Sequence, residues 1–274
     1  MKIASTIGEC VLMISLIAAS TSILHAQARD PWHGKKCAVC LTYDDALNVH
    51  LDNVLPLLDS LGFKATFYVS GYFPGFRERV GEWRLLASKG NELGNHSLFH
   101  PCEGKAPGRE WVRPDYDLNN YTIQRMVDEI SMANILLHAV DGQTKRTFAY
   151  PCGDIKAGDT SYVPNIRSEF IGARGVTGKM QTLDEIDLFD IGAYMINGDP
   201  GEKLIELVKK AMEKNALIVF LFHGVGGEHS LNVSLAAHST LLHFLKENEK
   251  SIWVAPLVEI AEYVNDQQRQ AKKN

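Results

Sequence analysis

The chain has 274 residues, 45% hydrophobic and 22% charged, an ordinary globular composition with enough apolar mass for one large core or two small ones. The formal net charge of −5 and a pI near 6.1 argue against a nucleic-acid partner. No basic run appears beyond Lys272-Lys273.

Residues 1–28 read as an export signal. Lys2 gives a weakly positive start, Val11 to Leu24 is mostly apolar, and Ala26-Gln27-Ala28 is a small-x-small cleavage site. Serine and threonine interrupt the short apolar stretch, so no stable membrane span is expected in the mature chain. The expectation is an exported protein, periplasmic or extracellular, with an uncleaved anchor as the alternative. Cys10 precedes the apolar stretch and is not read as a lipid-attachment site. Residues 29–274 then make one domain.

From Lys36 onward, short apolar runs alternate with amphipathic helices. Cys37 to Leu41 is a buried strand, Val54 to Leu61 a helix, and Ala65 to Val69 a strand. Val80 to Ser88 is a helix and Glu92-Leu93-Gly94 a strand. Residues 101–118 are an insertion rich in Pro, Gly and charge. Tyr121 to Ala139 is a long helix, and Thr147 to Tyr150 a strand that stops at Pro151. Ile171 to Ala173 and Ile191 to Ile196 are short strands. Glu202 to Lys214 is a helix, and Ala216 to Phe222 the most strand-like run of all. The helix Leu235 to Asn248, the strand Ile252 to Val254 and the helix Leu257 to Val264 complete the chain. Repeated strand–helix units imply a parallel sheet covered by helices, and about seven strands fit a β/α barrel.

The first strand ends on Asp44-Asp45. Adjacent carboxylates repel, and a cation beside them removes the conflict. His96 follows the third strand, and His100 comes four residues later. In one helical turn these two would share a face and could grip one ion together with Asp45. Two nitrogens and one oxygen leave a position open for water, the layout of a catalytic metal site. His223 follows the strand 216–222 and is free to act as an acid. Asp-Asp alone is usually a turn or a cap, and H-x-x-x-H alone is common. The combination is informative because the C-terminal strand ends of such folds form one rim.

Four cysteines follow the leader, and four allow three pairings in an oxidising compartment. Cys37 and Cys40 are three apart on a strand, face opposite sides, and read as small buried residues.

These residues resemble the polysaccharide deacetylases, carbohydrate esterase family 4, with the NodB homology domain. Thr42-Tyr43-Asp44-Asp45 is similar to its T-F-D-D motif. His96-Ser97-Leu98-Phe99-His100, within Gly90-Asn91-Glu92-Leu93-Gly94-Asn95-His96, is similar to its H-S/T-x-x-H motif. Leu221-Phe222-His223 is similar to its L-x-H motif. The resemblance spans about residues 35–265. It implies an α/β fold, a distorted (β/α)7 barrel, and metal-dependent removal of N- or O-linked acetyl groups from a carbohydrate. Asp45, His96 and His100 would bind a divalent metal, Zn2+ first, with Co2+ or Ni2+ as alternatives. Asp44 would be the base on the attacking water, and His223 the acid for the leaving group.

Two motifs depart from the family pattern. Where the family carries Arg-x-Pro-Tyr/Phe-Gly, this chain has Ala149-Tyr150-Pro151-Cys152-Gly153, so the arginine that braces the base is missing. Tyr150, Pro151 and Cys152 remain as substrate or oxyanion residues, and Arg174 is the candidate replacement brace. The fourth motif, which tunes the acid histidine, is suggested only by Asp199, which also reads as a helix cap. Cys102 and Cys152 each sit beside a motif, either bonded at the pocket rim or as free thiols. Trp111, Tyr116 and Tyr121 are placed either to stack on sugars or to pack the insertion. Alternatives are a metal-dependent hydrolase of a cyclic amide and a non-catalytic carbohydrate-binding relative. No G-x-S-x-G supports a serine hydrolase.

Overall fold

The computed structural model describes residues 31–273. The expected export segment and Cys10 lie outside the described residues. Nine strands form the main sheet: β1 Cys37–Asp44, β2 Thr66–Val69, β3 Glu92–Asn95, β4 Thr147–Ala149, β5 Gly172–Arg174, β6 Gln181–Thr182, β7 Tyr194–Met195, β8 Ala216–Phe222 and β9 Ile252–Val254. The order across the sheet is β5-β4-β3-β2-β1-β8-β6.

All pairings are parallel except β6 on β8, an edge the sequence did not suggest. At β1, β9 pairs with Cys37 to Val39, and β2 takes over from Thr42 to Asp44. The sheet curls because residues 191–195 reach from one side to the other. Ile191 bridges Arg174 of β5, and β7 pairs with Phe220 and Leu221 of β8. Counting that segment, seven staves make a distorted β/α barrel. The expected strand 191–196 is thus one bridge followed by a two-residue strand.

Strand periodicity explains what β1 delivers. Successive side chains point to opposite faces. Cys37, Val39, Leu41 and Tyr43 join the larger apolar cluster, beneath helices α1 Leu55–Leu61, α4 Gly201–Lys214 and α5 Leu235–Glu247. Ala38 and Cys40 join a second cluster with Leu217, Val219 and Leu221. Thr42 and Asp44 continue this inner file, so the same alternation that fills the barrel carries Asp44 to its mouth. Each fully buried Leu or Val contributes roughly 1.5–3 kcal/mol to holding this frame.

The remaining long helices are α2 Val80–Ser88, α3 Ile123–Asp141 and α6 Leu257–Ala271. Thr122 caps α3 by accepting from the Arg125 N–H at 3.1 Å, which sets its start two residues beyond the expected one. A π-turn, His50–Val54, precedes α1. Helix α6 runs to Ala271 rather than Val264, because its last turns are polar and carry no apolar periodicity to read. None of the described helices is long and apolar enough to cross a membrane.

Candidate active site

The site is built where β1, β3, β5 and β8 end. Beyond β1 the chain turns sharply, with Asp45 at φ 76° and Ala46 at φ 50°. Ser97, His100 and Cys152, at φ 62°, 54° and 56°, are also left-handed. Such backbone is costly for non-glycine residues and gathers where a site over-determines it.

Along β3 and into the residue after it, Glu92, Gly94 and His96 follow one face. A Cβ on Gly94 would lie 2.5 Å from the ring of Tyr68, so glycine is required for that ring to cross the strand. Tyr68 in turn lies beneath the Arg174 guanidinium, whose Cζ is 4.7 Å from the ring centroid. Buried Glu92 accepts from Thr66 Oγ1, from the Thr147 N–H and hydroxyl, and from the Val258 N–H, tying β2, β4 and α6 together under the site.

His96 and His100 do not lie on a helical turn as expected. They flank an irregular loop. Asn95 Oδ1 accepts from the Ser97 N–H at 2.7 Å, Ser97 Oγ from the His100 N–H at 3.0 Å, and Glu129 Oε1 from the Phe99 N–H at 3.0 Å. The two rings still meet, edge to face with centroids 4.7 Å apart.

Asp45 stands at the centre. Its Oδ1 lies 3.7 Å from His96 Nε2 and 3.6 Å from His100 Nε2. Those separations exceed hydrogen-bond length, and Oδ1 is buried without a partner. A buried carboxylate oxygen with no donor is costly. The spacing suits a shared cation, since atoms each about 2.1 Å from one ion stand roughly 3.4 Å apart. Ring tautomers agree. His96 Nδ1 donates to the Ala149 carbonyl at 2.8 Å, which leaves Nε2 as a lone pair facing Asp45. Burial pushes His96 down to about 3 and His100 to about 4, so both imidazoles are neutral. Asp45, His96 and His100 therefore fit a divalent metal.

Asp44 is held differently. Arg174 Nη2 donates to its Oδ1, and both side chains are buried. Burial would raise this carboxyl, but the charge and hydrogen bond of Arg174 lead the opposing effects and hold it below the usual carboxylate value. Asp45 is pushed up to about 7 by burial and by the charge of Asp44. A cation between the facing groups reverses that push.

His223 Nε2 lies 3.9 Å from Asp45 Oδ2. The buried His50 Nε2 donates to its carbonyl at 2.8 Å. The contact expected from Asp199 is not made. His223 Nδ1 is buried without a partner, and Asp199 accepts from Lys203 Nζ and from the Asn197 N–H instead.

Cys102 and Cys152 form a disulfide, while Cys37 and Cys40 are buried thiols, Cys37 pushed up to about 12 by burial. The disulfide pins the insertion to the turn Pro151–Gly153, assisted by Arg109, which donates to Asp154 Oδ2 and to the Cys152 carbonyl. Tyr150 is buried, and its hydroxyl donates to the Phe189 carbonyl. Tyr121 is buried on Glu129 and packs the insertion, Tyr116 stacks on Phe99, and Trp111 is 61% exposed at the cavity wall. That cavity, of about 670 Å³, is lined by Asp44, Asp45, His96, His100, His223 and Cys152 among others.

One lining residue was not expected. His229 stacks on His223 with centroids 4.7 Å apart, and its Nε2 lies 4.0 Å from Asp45 Oδ2. The only signal in the sequence was a second histidine six residues after His223, in a glycine-rich loop.

A curled, mostly parallel β/α barrel carrying these residues at its mouth is a NodB-type deacetylase fold. The family model described as polysaccharide deacetylase matches residues 33–163, just under half of the chain, and over that stretch the chain is similar to this family. It is 24% identical over 221 residues to a gellan lyase of Bacillus sp; the match covers 79% of this chain but only 8% of that protein's length. Among solved structures it is similar to a putative polysaccharide deacetylase from Mycobacterium smegmatis, with TM-score 0.61 and 15% identity, covering 85% of this chain and 92% of that one. It is also similar to a carbohydrate esterase family 4 pseudoenzyme from Bacillus anthracis, with TM-score 0.51 and 19% identity, covering 83% and 66%. At these identities the structural likeness speaks for the fold alone.

Proposed function

We propose that this protein is a divalent-metal-dependent deacetylase of an acetylated oligosaccharide or polysaccharide. The observation that carries the reading is Asp45 Oδ1, buried and unpartnered, facing the Nε2 atoms of His96 and His100 beside an Asp44 already paired to Arg174. Asp45, His96 and His100 would hold the cation. When bound, it supplies charge that polarises the acetyl carbonyl and acidifies water. Asp44, kept ionised by Arg174, takes the proton of the attacking water. His223 gives a proton to the departing nitrogen or oxygen. The backbone N–H of Cys152, in the turn lining the cavity, is the donor we assign to the developing oxyanion. The Cys102–Cys152 disulfide fits an oxidising compartment, and we place the protein outside the cytoplasm.

Acetate release from acetylated xylan, chitin oligomers, peptidoglycan fragments and acetylated exopolysaccharide tests this, with chelator and with Zn2+, Co2+ or Ni2+ restored. Activity on one of these that disappears with chelator and with Asp44→Asn is expected. Full activity in the chelated protein, or in Asp44→Asn, would refute the metal or the base.

A further inference from the structure

His229 lies outside the five residues matched to family motifs, yet it enters the same cavity. Its ring differs from its neighbours in tautomer. The Leu231 backbone N–H donates to His229 Nδ1 at 3.0 Å. A backbone N–H can only donate, so Nδ1 offers its lone pair, and the hydrogen of the neutral ring sits on Nε2. His96 is the reverse, because a carbonyl occupies its Nδ1. His100 is also the reverse, since its Nδ1 meets Cys102 Sγ, a disulfide sulfur with no hydrogen to give. The two rings near Asp45 Oδ1 thus present lone pairs, whereas His229 presents an N–H. That hydrogen is not spent on Asp45, whose Oδ2 is 4.0 Å away.

The loop holding His229 is fixed on both sides. Glu228, at φ 68°, accepts from Asn48 Nδ2 at 2.7 Å and from the Val49 N–H at 2.8 Å, both just beyond the Asp44-Asp45 turn. Asn232 Oδ1 accepts from the Gly227 N–H at 2.9 Å. The Asn232 carbonyl accepts from the Gly198 N–H, and Asn197 Oδ1 accepts from the Asn232 N–H. The Asn197-Gly198-Asp199 segment therefore braces the His229 loop and makes no hydrogen bond to His223 Nδ1.

We infer that His229 is a second functional imidazole of this site, whose Nε2–H donates to a substrate oxygen beside the proton delivered by His223. The inference rests on the deacetylase reading above. Because donor and brace are on different ring nitrogens, they can be separated. Asn reproduces the Nδ1 acceptor and lacks the distal donor, whereas Gln restores an N–H near the Nε2 position.

The zinc-loaded wild type, His229→Asn and His229→Gln are compared in acetate release, zinc content, melting temperature and binding of an N-acetylglucosamine trimer and an acetylated xylo-oligosaccharide. For His229→Asn, kcat falls roughly 10- to 100-fold, with zinc content and melting temperature unchanged, as expected for loss of one preorganised donor. His229→Gln recovers at least several-fold of the loss. Wild-type kcat in His229→Asn overturns the inference, as does no rescue by Gln. Loss of zinc in His229→Asn also overturns it, making His229 a ligand. If wild-type protein releases acetate from no glycan, the deacetylase reading fails, and calorimetry then decides the donor. Weaker oligosaccharide binding by His229→Asn, restored by Gln, sustains it, and equal or absent binding in all three proteins removes it.

Discussion

Arg174 and Asp44 lie 130 residues apart in the chain and are joined by a buried ion pair. Arg174 stands at the end of β5, with its guanidinium over the Tyr68 ring. One guanidinium thus holds the carboxylate assigned as base in its charged form and in one orientation.

Arg174→Ala leaves Asp44 buried without its counter-charge. Denaturant unfolding should show a loss of about 3–5 kcal/mol, and acetate release should fall by about 100-fold or more. Arg174→Lys keeps the charge but not the planar fork, and should fall between. Undiminished activity in Arg174→Ala would mean that the base needs no brace.

Stability should decline in mild acid through two histidines away from the proposed metal ligands. Burial pushes His50 down to about 4 and His238 to about 3, whereas in the unfolded chain each protonates near pH 6.5. Between pH 6.5 and about 4 the unfolded state binds more protons, so this stability is complete above pH 6.5 and is lost as pH falls. The slope is about 1.4 kcal/mol per pH unit per histidine. Guanidinium titrations at pH 7 and pH 5 measure it, and His238→Leu should lower the slope by the share of one histidine. A flat profile would contradict the buried neutral rings.

The Cys102–Cys152 disulfide closes a loop with a sequence separation of 50. Replacing both cysteines by serine should cost roughly 2–4 kcal/mol, chiefly by freeing the unfolded chain. His100 is two residues from Cys102, so zinc affinity should weaken as well. Unfolding curves and metal titrations of the double variant check both effects.

Trp111 is exposed at the cavity wall, whereas Tyr121 is buried on Glu129. Trp111→Ala should raise KM for an oligosaccharide about 3- to 10-fold with little change in kcat, the size of one lost aromatic contact. Tyr121→Phe should leave KM unchanged and lower stability by about 1 kcal/mol through its hydrogen bond. Equal KM values for Trp111→Ala and wild type would remove the tryptophan from the substrate path.

The sequence by itself determined the alternation of strands and helices and the strand-end placement of Asp44, Asp45, His96 and His223. Apolar periodicity and strand termini are local properties, legible along a single stretch of chain. Tertiary structure decided the rest. His96 and His100 meet across a left-handed loop stabilised by Asn95, Ser97 and Glu129, not on a helical turn, because the bonds that shape it come partly from α3. Asp199 engages Lys203 and Asn197 rather than His223, and His229 arrives through a loop braced by Glu228 and Asn232. Arg174 could be nominated from the sequence, but only the curl of the sheet brings β5 within reach of β1's last carboxylate. Closure of the barrel joins residues far apart in the chain, and no local pattern encodes which of them will touch.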